Sequence, residues 1–382
     1  MPGLRSFSRN EPELSLGRKL LDVRWGLIVL LCSIASVGFA MLYSAAGGNF
    51  DPWATKQMVR FAGGIALLVT VALIDIRVWL RWAYAFYALG LGLLVAVTLV
   101  GRVGMGAQRW LDLGLFQVQP SEIMKIALVL ALARYFHRLG DDDVRKPLWL
   151  VPPVLMMGAP MALVLKQPDL GTAMMLGMEG AAICFLAGVA IRWFVLGGVV
   201  AGALMPVAWE MMHDYQRKRV LIFLNPESDP LGSGYHILQS KIALGSGGLF
   251  GKGFLEGSQA HLNFLPEKQT DFIFTALAEE LGLVGGLALI GLYLLVVAYG
   301  YAIALRSSSQ FGRLIGLGIT SMLFIYVFIN IAMVSGLVPV VGVPLPLVSY
   351  GGTAMLTLLI GFGLVLGVYV HRDVELPRRG SS

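Results

Sequence analysis

Apolar residues run along this chain in blocks of about twenty, separated by short polar stretches, and an α-helix needs roughly 20 residues to cross a bilayer core. Ten such blocks are read: residues 25–45, 56–75, 79–100, 121–136, 149–166, 170–188, 192–212, 272–304, 311–337 and 346–370. The fourth is short, and the eighth is long enough to tilt or to project from the membrane. The pattern predicts an all-α polytopic membrane protein of about ten transmembrane helices. One long extracytoplasmic loop, 213–271, joins helices seven and eight. Residues 1–24 then form a cytoplasmic N-terminal segment, 25–370 the transmembrane domain and 371–382 a cytoplasmic tail.

Composition supports that picture. Of 382 residues, 57% are hydrophobic and 14% charged, against about 45–50% and about 25% in soluble domains. The net charge of +6 fits loops lying near anionic lipid and gives no basic face for nucleic acid. Cys32 and Cys184 both sit in apolar runs, which offers neither a disulfide framework nor a metal cluster. The histidines lack ligand spacing. The basic N-terminus precedes an apolar run, 25–43, that is longer than the roughly 7–15 residues of a signal-peptide core, so it reads as an uncleaved first span.

Positive charge orients the spans. With both termini inside, inner segments carry 17 of the 29 Lys and Arg residues, including Arg77, Arg81, Arg134, Arg138, Arg145 and Lys146. Much of the remainder lies in the one long loop, and long loops translocate largely regardless of charge. Three irregular segments then fall on the outer side: the glycine-rich 101–120, the hydrophilic 213–271, and the proline- and glycine-dense 336–353. Broken backbone at membrane depth persists only where protein or a water-filled cavity satisfies it. An outward-facing cavity is expected.

The charged residues at these edges are the candidate chemistry. Asp271, in "PEKQTDFIFTALAEELG", stands at the threshold of the eighth span as a helix cap, an ion-pair partner or a reactive carboxylate. Capping and reactivity are compatible, because a helix N-terminus favours the ionised form. Glu279 and Glu280 follow roughly 12 Å deeper along a continuous helix. In "QPSEIMK", Glu122 and Lys125 are i,i+3 neighbours that can form a salt bridge or present a cation to an anionic substrate. "GAQRWLD" supplies Arg109 for phosphate and Trp110 for sugar stacking or interfacial anchoring. "QPDLGTA" places Asp169 as a cap with Thr172 three residues on, and Glu179 lies inside the sixth span. "GSGGLFGKG" departs from the phosphate-loop pattern at both ends, and Asp141–Asp143 read as a solvated charge run. No serine-hydrolase pattern is present.

Together these stretches resemble the SEDS family (shape, elongation, division and sporulation) of bacterial peptidoglycan polymerases. The matching runs are "GAQRWLDLG", "QPSEIMKIAL", "KQPDLGTA", "GYHILQSKIALGSGGLFGKG", "GSQAHLNFLPEKQTDFIF", "AEELG" and "GLVPVVGVPLPLVSYGGT", in family order from about residue 20 to 372. The run "GKG…GSQ…LNFLPEKQTDFIF" is closer to the elongation branch than to the division branch. Gln269 departs from the family, where many members carry His; this bears on any proton relay at that position and not on Asp271.

The resemblance implies ten transmembrane helices in the bacterial cytoplasmic membrane and an inverting glycosyltransferase that polymerises lipid II during elongation. It implies Asp271 as the catalytic aspartate, the general base on the acceptor GlcNAc 4-hydroxyl, with undecaprenyl pyrophosphate as leaving group. Candidate substrate contacts within the matching runs and beside them are Arg109, Trp110, Glu122, Lys125, Asp169, Gln239, Glu267, Lys268 and Ser349. Arg109, Lys125 and Lys268 are the cations for the leaving group, with a divalent ion (Mg or Mn) as an optional helper whose ligands are not evident. Partners implied are a class B penicillin-binding protein transpeptidase and other elongation-complex proteins. A lipid II flippase and a noncatalytic scaffold for the transpeptidase are the alternative functions.

Overall fold

The computed structural model describes residues 15–104, 107–112, 117–140, 143–144, 146–212, 214–229, 233–261, 264 and 267–376. Several residues weighed above, among them Asp141, Asp142, Arg145 and residues 1–14 and 377–382, lie outside the described set. A short helix α1 (Leu16–Asp22) precedes α2 (Trp25–Ala45), α3 (Ala54–Leu73) and α4 (Ile76–Val100). After a small sheet come α5 (Pro120–His137), α6 (Val151–Lys166), α7 (Leu170–Leu186) and α8 (Ile191–Met211). The long loop holds α9 (Asp214–Leu224), α10 (Ser233–Ser246) and α11 (Ser258–His261), and the chain ends with α12 (Ile273–Ala304), α13 (Gln310–Val334) and α14 (Gly352–Val370).

Each of the ten expected stretches is helical, α2 to α8 and α12 to α14, with α12 broken into two segments. Among the described residues seven helices are long and apolar enough to cross a membrane; α7 and the apolar part of α8 are shorter, and α5 carries Glu122, Lys125 and Arg134. The protein is an all-α polytopic membrane protein. Helix starts follow local chemistry. Asp75 accepts the Arg77 N–H at 2.7 Å to open α4, Ser309 accepts the Gly312 N–H at 3.1 Å to open α13, and Pro120 sits in the first turn of α5.

Burial grades from centre to rim. α5, α13 and α14 are buried along most of their length, whereas α8 exposes Val195, Val199, Leu204 and Met205. In a bilayer, acyl chains solvate such a face, so exposed apolar residues are expected there and the polar backbone must be satisfied internally. α13 packs against α5, α7, α12 and α14, which makes it the hub of the bundle.

Three features correct the expectations. Residues 101–120, read as irregular, contain a three-stranded antiparallel sheet of β1 (Arg102–Gly104), β2 (Ala107–Asp112) and β3 (Gln117–Val118), with Arg102 opposite Trp110 and Leu111 opposite Val118. The last span begins at Gly352 and not at 346, because 335–351 holds no helix. The eighth span is not one helix. α12 breaks at Gly282 (φ 69°, ψ −166°), a left-handed conformation that glycine tolerates, and residues 273–281 form a separate stub. Glu279 and Glu280 therefore lie at the broken end of a stub and not midway along a continuous helix.

Candidate active site

Asp271 closes a turn, 267–272, in which the Thr270 and Phe272 N–H groups donate to the Glu267 carbonyl at 3.0 and 3.4 Å. The stub opens with Phe272 as its N-cap, whose carbonyl accepts the Thr275 and Ala276 N–H groups at 3.0 and 3.2 Å. Asp271 stands one residue too early to cap and makes no cap bond, so the expected cap role is not adopted. Its Oδ2 instead faces Gly342 (φ 72°), where an added Cβ would lie 3.3 Å away. Gly342 thus brings a bare backbone up to the carboxylate.

The backbone beneath Asp271 is held at three consecutive carbonyls. The Tyr350 N–H donates to Gln269 O at 2.8 Å, Ser349 Oγ to Thr270 O at 2.5 Å and Asn330 Nδ2 to Asp271 O at 3.0 Å. Asn330 also donates to Val343 O at 2.7 Å, and Ser349 Oγ accepts the Leu345 N–H at 2.7 Å. The proline-rich segment 336–351 therefore acts as the bed on which the 267–272 turn lies. Ser349, a candidate substrate contact, is buried in this bed. Asn330 was not among the expected residues; its signal was a lone amide inside the apolar ninth span.

Burial raises the Asp271 carboxyl from the usual range to about 6, and the neighbouring Glu267 pushes in the same direction. Arg219 and Arg109 oppose the shift. Burial outweighs both arginines. A carboxylate with a pKa near 6 is ionised at neutral pH yet more basic than an exposed aspartate.

Past Gly342, at Val341, begins a cavity of about 310 Å³ whose wall includes Met174, Met178 and Val341, with Arg109, Asp169 and Arg219 among its polar residues; Asp271 itself is not part of that wall. β2 delivers Arg109, whose Nε lies 3.2 Å from Asp169 Oδ2 and whose Nη2 donates to Pro168 O at 3.1 Å. Asp169 caps α7 as expected, accepting Thr172 N–H at 3.1 Å and Thr172 Oγ1–H at 2.9 Å. Arg219, from α9, donates to Val340 O at 3.2 Å. It was not among the expected cations, although the basic run Arg217–Lys218–Arg219 in an outer loop marked the stretch. The three outer segments do converge: 101–120 brings Arg109, 213–271 brings Arg219 and Asp271, and 336–353 brings Val341 and Gly342.

Other candidates stand apart from that cavity. Lys125 and Glu122 form the expected i,i+3 pair at 2.6 Å, and both are buried. Tyr326 of α13 binds both, donating to Glu122 Oε2 at 2.9 Å and contacting Lys125 Nζ. A narrow cavity of about 20 Å³, with room for about one water, touches Glu122, Tyr326 and Ser349. Glu179 is buried nearby, where Lys125 and Glu122 are its charged neighbours. Trp110, Gln239 and Lys268 are half-buried and do not line the larger cavity. Glu267 accepts from Thr270 Oγ1 at 3.0 Å and Gln269 Nε2 at 3.4 Å within its own turn.

The FtsW/RodA/SpoVE family, described as "cell cycle protein", matches residues 22–374. The chain belongs to this family. Within it, the chain is 47% identical over 349 residues to the peptidoglycan glycosyltransferase MrdB of Escherichia coli K12, covering 91% of this chain and 94% of that one. It is 36% identical over 351 residues to the stage V sporulation protein E of Bacillus subtilis, covering 90% and 95%. Among solved structures, a chain of a peptidoglycan synthase complex that coordinates polymerization and crosslinking superposes with a TM-score of 0.80 at 34% identity, covering 92% of this chain and 99% of that one. The rod shape-determining protein RodA of Thermus thermophilus superposes with a TM-score of 0.70 at 32% identity, covering 92% and 98%. The enzyme class of this SEDS protein is that of peptidoglycan glycosyltransferase, and the elongation branch is the nearer one.

Proposed function

We propose that this SEDS protein polymerises lipid II, with Asp271 as the general base. One observation supports the reading above all: a carboxylate raised to about 6 by burial, pinned through three backbone carbonyls, and facing Gly342, whose neighbour Val341 lines a cavity that two arginines share. An alcohol is a weak nucleophile, and a positioned base near the working pH removes its proton as the bond forms. The acceptor GlcNAc 4-hydroxyl gives its proton to Asp271 and attacks C1 of the donor MurNAc. The C1–O bond to undecaprenyl pyrophosphate breaks, the configuration inverts, and the leaving group carries away the electron pair. Arg109 and Arg219 supply the positive charge that such a departure needs. Lys125, the other expected cation, is engaged by Glu122 and Tyr326 instead.

A Mg²⁺ or Mn²⁺ ion commonly binds through one or two carboxylates together with substrate phosphates. No group of three or more His, Cys, Asp and Glu side chains occurs among the described residues, so the substrate phosphates would be its main ligands. Such an ion would neutralise pyrophosphate charge there. The reading also places the protein in the bacterial cytoplasmic membrane with both termini cytoplasmic, beside a class B penicillin-binding protein.

The test is Asp271→Asn in the purified protein with its transpeptidase partner and labelled lipid II. Glycan chains should disappear while the complex stays assembled. Polymer at the wild-type rate would remove Asp271 from the chemistry. Lipid II translocation in proteoliposomes that survives this change would favour a flippase.

A further inference from the structure

The break in α12 is closed by another part of the chain. Residues 247–253, "GGLFGKG", cross it and take up the backbone groups that the missing helical turn would have paired. The Lys252 and Gly253 N–H groups donate to Glu279 O and Glu280 O at 3.0 and 3.1 Å. Beyond the break, the Leu283 and Val284 N–H groups donate to Gly248 O and Leu249 O at 3.0 and 3.1 Å. The approach is tight enough that a Cβ on Gly251 would meet the Glu280 backbone, and one on Gly282 the Gly251 backbone. Without this loop the end of the stub would present unpaired polar groups at membrane depth, which is costly.

The side chains of the stub fasten the same loop. Glu279 is fully buried and pairs with Lys252 Nζ at 2.6 Å. It also accepts from Ser258 Oγ at 3.1 Å and from the Gln259 N–H at 3.0 Å. Glu280 accepts from Ser44 Oγ of α2 and from the Leu255 N–H at 3.3 Å. Upstream, Ser240 of α10 links Thr275 Oγ1 (2.9 Å) to Val334 O (2.7 Å). The stub is thus a rigid strut: Asp271 precedes one end, and a buried carboxylate bonded to three partners locks the other.

We propose that Glu279 is a positioning residue for Asp271, fixing through Lys252, Ser258 and Gln259 the strut that sets where the base stands. It touches no reacting atom. This inference rests on the general-base reading above. A base misplaced by about an ångström loses on the order of 100-fold in rate, and a loosened strut also admits water around Asp271. Loss of desolvation lowers its pKa, so the acidic limb of the rate profile moves to lower pH.

The experiment uses the full chain with its partner and lipid II. Glu279→Gln should lower kcat 10- to 100-fold, leave KM within about twofold, keep the folded yield, and move the acidic limb below its wild-type position. Ser258→Ala removes one of the three partners and should show a smaller loss in the same direction; it serves if Glu279→Gln does not fold. Lys252→Met combined with Glu279→Gln should be no slower than the slower single change, because both act through one junction. Wild-type kcat in Glu279→Gln, a loss that follows folded yield alone, or an unmoved acidic limb would overturn the proposal. Asp271→Asn separates the two readings. If that variant is dead while Glu279→Gln is wild-type, only the strut fails; if it polymerises normally, the base assignment fails first.

Discussion

Asp271 concentrates a conflict that local sequence rules cannot resolve. An aspartate before an apolar helical run suits a cap, and a capped carboxylate should be more acidic. Here the turn anchored on Glu267 moves the cap to Phe272, and burial leaves Asp271 near 6. Catalytic rate should therefore rise with pH through about 6 as the base ionises. Its neighbours tune that limb in opposite directions. Glu267→Gln removes a nearby anion and should move it to lower pH, whereas Arg219→Ala removes a cation and should move it higher; pH profiles of initial rate check both. The same shift has a stability sign. A folded pKa above the unfolded one means that ionised Asp271 burdens the fold as pH rises from about 4 to about 6, and the full burden stands at pH 7. Asp271→Asn should then be more stable by about 1–3 kcal/mol at pH 7, with the gain fading toward pH 4, as thermal melts at the two pH values would show. An inactive, stabilised variant is the signature of a site built at the expense of the fold.

Elements were legible in proportion to how far they obey hydropathy alone. Block lengths located the ten helices α2 to α8 and α12 to α14, and the proline and glycine density of 336–353 marked the unwound stretch beside the site. The break in α12 was not legible, because Gly282 is one of several glycines in an apolar block, the others (Gly285, Gly286, Gly291) staying helical, and the partner loop that satisfies it lies about thirty residues upstream in sequence. The strands after α4 were hidden for a related reason: strands this short are defined by pairing and not by composition. The Glu122–Lys125 pair shows the reverse case. Spacing predicted the bridge on α5, but Tyr326, which closes it from α13, is a long-range contact that spacing cannot supply. A buried pair is destabilised most when one charge is stranded, by about 3–5 kcal/mol. Lys125→Met alone should thus lower stability by that order, and Lys125→Met with Glu122→Gln should recover a large part of it. Folded yield and melting in detergent measure this. Recovered fold without recovered polymerisation would give the pair a role in substrate binding as well.

For the whole molecule, the convergence of distant segments is what turns a bundle into a site. Arg109, Asp169, Arg219, Asp271 and Gly342 come from five separate stretches and meet at one end of the bundle. The opposite end ties Lys19 of α1 to Leu73 O, and Ser308 between α12 and α13 to Arg372 O. That end is the one whose short loops are rich in Lys and Arg, and on that charge bias we propose that it faces the cytoplasm. The assignment is open to a direct check in intact cells, with Cys32 and Cys184 first replaced by Ser or Ala. Phe254→Cys, in the exposed loop beside the strut, should react with a membrane-impermeant maleimide without permeabilisation, and Ser308→Cys only after it. Both positions are accessible to the reagent, with Phe254 and Ser308 each exposed. The reverse labelling would put Asp271 on the cytoplasmic face, where a base acting on an outward-displayed lipid-linked sugar has no purpose, and the proposed reaction would fall with the orientation.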